Sequence, residues 1–123
     1  MQQEIVIEKK IELCWMLSFY GELLTQSQRE IAQYYFEEDL SSTEIAQQLN
    51  ISRQSVHDTL SRVEKKLREF EEKLGLCARF ERIENELVRC RELLGKIHPR
   101  DESVQEYALL SSRLDELIRT EEQ

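Results

Sequence analysis

An all-α fold is predicted from three observations on this chain of 123 residues. Only three glycines and one proline interrupt a sequence rich in Glu, Gln, Leu, Arg and Lys, a composition that favours helices over sheets. Apolar residues recur at intervals of three and four, the period of a helix face. Two helix-start signals, at Ser41 and Ser52, lie close together around a short turn. The length suits one compact domain, or one domain with a helical extension.

The first helix is predicted from residue 3 to about residue 21, where Gly21 loosens its end. Its apolar residues form a stripe wider than a solvated helix needs, so we expect burial on more than one side. The stripe consists of Ile7, Ile11, Cys14 and Leu17, with Trp15 beside it.

A second helix is predicted to start at a cap on Thr25 or Ser27 and to run to about Phe36. Ile31, Tyr34 and Tyr35 share its inward face. Three consecutive acids follow, at residues 37–39, where carboxylates oppose the helix dipole. They are interpreted as a solvated turn, with an acidic patch for a basic partner as the alternative.

A helix-turn-helix is predicted in the segment LSSTEIAQQLNISRQSVHDTLSRVEKKL, with helices at about 41–49 and 53–74. Ser41 and Glu44 have the spacing of a capping box. Ala46 is small enough for two helices to cross closely, and Asn50 tolerates the left-handed backbone that ends a helix. Ile51 is predicted to fill the core under the turn. An ordinary helical hairpin without a DNA-reading role is the alternative.

Heptad spacing continues beyond the helix-turn-helix and predicts long packed helices. Gly75 is a natural stop, His98 and Pro99 break the pattern, and Asp101 or Ser103 restarts it. We therefore divide the chain into a helical bundle, residues 1–74, and a helical hairpin, residues 75–123. A trihelical core is too small to cover three apolar seams, so we expect packing between the tail helices and between two subunits. The seams are Val56, Leu60, Val63, Leu67, Phe70 and Leu74; Leu76, Phe80, Ile83, Leu87, Cys90, Leu94 and Ile97; and Val104, Tyr107, Leu110, Leu114 and Leu117.

The helix after Ser52 carries the candidate DNA-binding residues. Its first two turns would meet base edges, since Arg pairs with guanine and Gln with adenine. Its later cations would reach phosphates. A solvated helix face is the alternative for each of these side chains. The base-reading candidates are Arg53, Gln54, His57 and Asp58, and the phosphate candidates are Arg62, Lys65 and Lys66.

The charge of the chain limits its expected DNA affinity. The formal net charge is −8, and residues 1–50 have three bases against nine acids. Residues 51–74 have six bases against five acids, and residues 75–123 have eight against eleven. Because phosphate binding depends on clustered cations, we expect a modest and salt-sensitive affinity.

The remaining composition argues against an enzyme. Cys14, Cys77 and Cys90 lack the spacing of a zinc site or a disulfide framework. The two histidines are far apart and there is no glycine-rich phosphate loop, so no catalytic, metal or cofactor site is expected. No signal sequence or membrane-spanning segment is recognisable. We expect a soluble chain in a reducing cytoplasm, without membrane insertion.

The segment from Leu24-Thr25 through Gln28-Arg29, Glu44-Ile45-Ala46 and Ile51-Ser52-Arg53-Gln54 to Val56 resembles region 4 of bacterial sigma factors. The longer run FYGELLTQSQREIAQYYFEEDLSSTEIAQQLNISRQSVHDTLSRVEKKLREFEEKLGL resembles the YlxM family of small bacterial proteins, and the resemblance covers about residues 13–80. That resemblance implies a helix-turn-helix DNA-binding or regulatory protein, linked by gene neighbourhood to the signal recognition particle GTPases. Sigma-type contacts carried across fall on Arg53, Gln54, His57 and Asp58. His57 and Asp58 depart from the Arg-Gln that such sigma factors often have.

Three functions therefore remain open at this point. The chain could be a dimeric DNA-binding regulator that places the helix after Ser52 in the major groove. It could instead be an adaptor that contacts the protein or RNA of the signal recognition particle through its acidic first helices. A helical dimer that modulates another transcription factor is the third interpretation.

Overall fold

The computed structural model describes the backbone of residues 2–122 and the side chains of residues 8–118. Within that range the chain has six α-helices, two short 3-10 turns and no strand, which confirms the all-α fold. The helices are α1 (Gln2–Tyr20), α2 (Gln26–Phe36), α3 (Ser42–Leu49), α4 (Arg53–Leu74), α5 (Leu76–Leu94) and α6 (Val104–Glu122). The 3-10 turns are Gly21–Leu23, after α1, and Asp101–Ser103, before α6. No described helix combines the length and apolar character needed to cross a bilayer.

The chain folds as two compact units, one ending at Cys77 and the other beginning at Ala78. The first contains α1 to α4 and the start of α5. The second contains the rest of α5 and α6, which form a helical hairpin: Arg91 pairs with Asp115 at 3.5 Å, and the Tyr107 hydroxyl donates to the Leu94 carbonyl at 2.8 Å.

The core of the first unit lies between α1, α2 and α4. One face of α1 is buried there, at Leu13, Leu17 and Tyr20, against Val63 and Leu67 of α4. At roughly 1.5–3 kcal/mol for each large side chain, these contacts dominate the stability of the unit. The seam of α4 is thus covered largely inside its own unit, by the preceding helices. The expected packing between two subunits stays a prediction.

The predicted α1 stripe was wrong at Ile11. Ile11 is 64% exposed and Trp15 is 37% exposed, while the buried stripe includes Leu13 and Met16 instead. Cys14 is half-buried and Leu17 is buried, and the side chain of Ile7 lies outside the described residues. The core side of the helix is wide, because the half-buried Cys14 and Phe19 also pack against the core cluster.

A half-buried polar junction fixes the end of α4 to α1. The Tyr20 hydroxyl donates to the Glu71 carboxylate at 2.6 Å and accepts from the Leu76 amide at 3.1 Å. The same carboxylate oxygen accepts from the Cys77 amide at 3.0 Å. Gly75 between the two helices has φ of 62°, as its predicted stop requires. Burial, followed by the charge of Glu71, raises the pKa of the Cys77 thiol to about 12, and burial also raises the pKa of Tyr20.

Several seam residues remain exposed in the described chain. Leu74 is 55% exposed, so the seam of α4 ends at the half-buried Phe70. In the second unit Leu94 is buried, whereas much of the apolar surface of the hairpin is open to water. The large apolar side chains exposed in the second unit are Ile83, Leu93, Ile97, Val104, Leu109, Leu110 and Leu117.

Candidate nucleic-acid interface

Local hydrogen bonds define the turn between α3 and α4. Ser41 and Glu44 form the predicted capping box, each accepting from the other's backbone amide at 3.1 Å. Asn50 has φ of 56°, the left-handed conformation expected of it, and ends α3. The Ser52 hydroxyl then accepts from the Ser55 amide at 3.0 Å and starts α4. These bonds set the direction in which α4 leaves the turn.

A small apolar cluster holds α3 and α4 against α2. Ile45 and Val56 are fully buried, and Ala46 is 8% exposed where the two helices approach. Ile31 of α2 completes the cluster, as predicted, with Tyr34 and Tyr35 half-buried beside it. The cluster leaves the first two turns of α4 free on their other side.

Ile51 is not the core plug that the sequence predicted. Its side chain is 37% exposed, and its amide donates to the Ala46 carbonyl at 3.0 Å. That bond folds the backbone of the turn back onto the end of α3, so Ile51 lies at the rim while Ile45 and Val56 fill the core.

All four predicted base-reading residues are exposed at the start of α4: Arg53, Gln54, His57 and Asp58. Gln54 and Asp58 are one turn apart, and the Gln54 amide donates to the Asp58 carboxylate at 3.0 Å. Arg62, four residues further, continues the same helix face. Asp58 therefore holds Gln54 in place, and it also puts a negative charge beside the surface that would meet DNA.

His57 lies one helical turn after Arg53 and therefore shares its side of α4. It lines a cleft of about 260 Å³ together with Lys9 and Lys10 of α1, Ser42 of α3 and Ser61 of α4. The Lys9 ammonium pairs with Glu64 at 2.9 Å, and that of Lys10 pairs with Asp39 at 3.0 Å. Arg53, Gln54, His57 and Asp58 thus all lie within the first two turns of α4, and His57 also lines this cleft.

The cations of α4 divide into two groups. Lys66 is half-buried and donates to the Gln28 side chain at 2.9 Å, and Arg68 pairs with Glu12 at 3.3 Å and with Glu64 at 3.4 Å. Arg62 and Lys65 are exposed and have no ion pair among the described residues. The second group can reach a phosphate without breaking a contact of the fold. For Lys66 the phosphate contact stays a prediction, and it would compete with Gln28.

The Tyr20–Glu71 junction and the Lys66–Gln28 bond were not predicted from the sequence. Both join residues far apart in the chain, so no local motif signals them. The side chains described here contain no group of three or more His, Cys, Asp or Glu placed to hold a metal ion. What the start of α4 offers chemically is hydrogen-bond donors and exposed cations.

The amino-acid sequence matches one protein family. Residues 7–108 match the family model UPF0122, described as "Putative helix-turn-helix protein, YlxM / p13 like". A UPF0122 protein of Desulforamulus reducens is 49% identical over 76 residues, which cover 62% of this chain and 65% of that protein. One from a Thermoanaerobacter species is 46% identical over 70% of this chain and 74% of its own length. One from Geobacillus kaustophilus is 37% identical over 91% of this chain and 99% of its own length.

Proposed function

The chain belongs to the UPF0122 family of YlxM/p13-like helix-turn-helix proteins, and on that premise we propose that it is a DNA-binding regulatory protein. The start of α4 would enter the major groove, with Arg53 and Gln54 at base edges. The observation that carries this proposal is that the first two turns of α4 are exposed. The loop before them is held rigidly by helix caps and by apolar packing.

Electrostatics supports a modest affinity. Arg53, Arg62 and Lys65 are exposed cations of α4 without an ion pair among the described side chains, whereas Lys66 and Arg68 are engaged inside the fold. Each phosphate contact contributes a salt dependence of about one unit in the slope of log affinity against log salt concentration. A small number of contacts per subunit therefore predicts a shallow slope and weak binding at physiological salt.

The test selects duplexes from a random-sequence pool on the purified chain and measures their affinity by fluorescence anisotropy. Arg53→Ala and Gln54→Ala should each weaken the selected duplex roughly 5- to 150-fold, the cost of one bidentate base contact of ~1–3 kcal/mol. Lys73→Ala is the matched control, because it removes the same charge about 30 Å further along α4 at 1.5 Å per residue.

Selective loss in the two variants, with unchanged helicity by circular dichroism, supports the proposal. Equal affinity for wild type and both variants, or equal losses with Lys73→Ala, would reject groove reading by this helix. Failure to enrich any duplex at low salt would reject DNA binding altogether.

We also propose that the protein acts as a homodimer through its second unit. The exposed apolar side chains of α5 and α6 there form a surface that is costly to leave in water. Light scattering should give about twice the 14.7 kDa of one chain, and Leu117→Ser should lower that mass. A monomer at all concentrations would contradict the dimer.

An adaptor role in the signal recognition particle is a second candidate, favoured by the exposed carboxylates of Glu37 and Glu38. Such a patch would suit a basic protein face. Co-purification with the particle that survives Arg53→Ala but is lost on combining Glu37→Gln with Glu38→Gln would favour this candidate. Absence of association at low and high salt would count against it.

A further inference from the structure

One exposed side chain at the start of α4 is held in a defined orientation. The Nε2 nitrogen of Gln54 donates to Oδ1 of Asp58 at 3.0 Å, and the two residues lie one helical turn apart. The terminal amide of a glutamine carries an oxygen and a nitrogen of similar shape, and half a turn of the amide exchanges their positions. An ionised carboxylate only accepts hydrogen bonds, so Asp58 selects the orientation in which the nitrogen of Gln54 faces it.

The bond to Asp58 leaves part of the Gln54 amide available to a ligand. It uses one of the two N–H groups of that amide, while the second N–H and the carbonyl oxygen make no hydrogen bond among the described residues. Asp58 is exposed and forms no ion pair within the described part of the chain, although Arg62 lies one turn further along α4. Gln54 therefore presents one donor and one acceptor in a fixed order on the exposed start of α4.

A fixed order of donor and acceptor matters because the major groove distinguishes base pairs by that order. Adenine presents the N7 acceptor beside the N6 donor, which matches one donor and one acceptor of a glutamine amide. Replacing A·T by T·A reverses the order across the groove, and replacing it by G·C puts the O6 acceptor where adenine has its donor. An amide that turns freely can follow a reversed pair, whereas an amide with a fixed order cannot. The bond to Asp58 therefore makes the contact of Gln54 more selective.

We propose that Asp58 is a specificity-determining residue, which makes Gln54 selective for an A·T pair in one orientation. This inference rests on the proposed DNA-binding function, and it gives Asp58 a positioning role that acts through Gln54 instead of through a base. The carboxylate has a second effect, because its charge repels the phosphates of every duplex alike. Asp58 thereby lowers the total affinity for DNA while it raises the difference in affinity between base pairs.

The test measures the base preference of the full chain by fluorescence anisotropy. The duplex selected on the wild type is substituted at each position in turn, and the position read by Gln54 is the one whose A·T preference disappears in Gln54→Ala. There the wild type should prefer A·T over T·A and over G·C by about tenfold. Asp58→Asn keeps the size of the side chain but lets it donate or accept, so it should reduce this preference to about threefold or less. The same variant should bind random duplex more tightly than the wild type does.

Glu69→Gln is the matched control for the loss of charge. Glu69 is exposed and lies eleven residues after Asp58, close to three full turns, so it shares the same face of α4 about 16 Å further along. This variant should leave the preference at the Gln54 position unchanged. Asp58→Ala removes the acceptor altogether and should lower the preference at least as much as Asp58→Asn does. All of these positions are exposed, so circular dichroism should show the helicity of the wild type.

A second measurement tests the orientation of Gln54 without DNA. NMR relaxation of the side-chain amide groups reports how freely each glutamine amide moves. In the wild type the Gln54 amide should be more ordered than that of Gln47, an exposed glutamine of α3 whose side chain has no hydrogen bond among the described residues. The difference between the two amides should disappear in Asp58→Ala, because that variant has no acceptor for Gln54.

The outcomes separate this inference from the proposed function. An unchanged A·T preference in Asp58→Asn and Asp58→Ala would overturn the positioning role of Asp58 and leave groove reading by Gln54 in place. An equal loss of preference in Glu69→Gln would show that total charge, and not the bond to Gln54, sets the selectivity. A Gln54 amide as mobile as that of Gln47 would likewise reject the fixed orientation. The absence of any base preference that Gln54→Ala removes would reject groove reading by Gln54 and this inference together.

Discussion

Replacing Tyr20 by phenylalanine tests the junction between α1 and the end of α4. The substitution keeps the aromatic ring, which is fully buried, and removes only the hydroxyl. That hydroxyl makes two hydrogen bonds, to the Glu71 carboxylate at 2.6 Å and from the Leu76 amide at 3.1 Å. Its loss is therefore an electrostatic change with little change in packing.

The magnitude follows from the two bonds. A hydrogen bond to a charged acceptor contributes about 1.5–3 kcal/mol to stability, and the short distance places this one within that class. The Leu76 amide adds little, because Leu76 is 41% exposed and water can replace the hydroxyl there. Glu71 still accepts from the Cys77 amide. We expect Tyr20→Phe to lower the free energy of unfolding by about 2 kcal/mol.

Urea titration followed by Trp15 fluorescence reports on the first unit, where this residue lies. With a slope near 1 kcal/mol per molar urea for a unit of this size, the midpoint should fall by roughly 2 M. Tyr34→Phe is the matched control, because its exposed hydroxyl only accepts a 3.4 Å bond from Gln48. A loss below about 0.5 kcal/mol in Tyr20→Phe, or an equal loss in the control, would refute the reasoning.

Three further predictions concern pH, the turn and the DNA face. Folding raises the pKa of the Cys77 thiol from about 9 to about 12, so the stability that this protonated thiol contributes is complete below pH 9 and is lost as the pH rises from 9 to 12. The urea midpoint of the wild type should therefore fall over that range. It should fall less steeply in Cys77→Ala. Asn50 has φ of 56°, so Asn50→Ala should cost about 1 kcal/mol in urea unfolding, whereas Asn50→Gly should cost only tenths; equal costs would contradict the strain argument. Asp58→Asn removes a carboxylate from the exposed start of α4 and should raise the affinity for random duplex about threefold at low salt, and Glu72→Asn, near the far end of α4, should not; a decrease in affinity would place Asp58 among the binding groups.

The helix ends were predictable because their chemistry is local. Ser41, Asn50, Ser52 and Gly75 each act on atoms within a few residues, so their spacing alone fixes the caps. The exposure of Arg53 at the start of α4 followed from the same helix period. The contact of Arg53 with DNA stays a prediction.

The wrong burial predictions arose where the helix period alone does not decide which apolar side chains face the core. α1 has apolar residues on more than one side, and spacing alone does not say which of them meet α4, so Ile11 was assigned to the buried stripe. Ile51 was misplaced because the path of the turn depends on a backbone bond to Ala46. The engagement of Lys66 by Gln28 joins residues 38 positions apart and has no local signal.

The bond between Lys66 and Gln28 also connects a candidate phosphate-binding residue with the N-terminal cap of α2. The Gln28 side-chain oxygen accepts from Lys66 at 2.9 Å and from the Thr25 amide, which closes the first turn of α2, at 3.3 Å. A phosphate that captured Lys66 would take one donor from this shared oxygen. Binding of nucleic acid at Lys66 would therefore change the amide hydrogen exchange of Gln28 and Arg29 at the beginning of α2. This change would occur although α2 need not contact the nucleic acid.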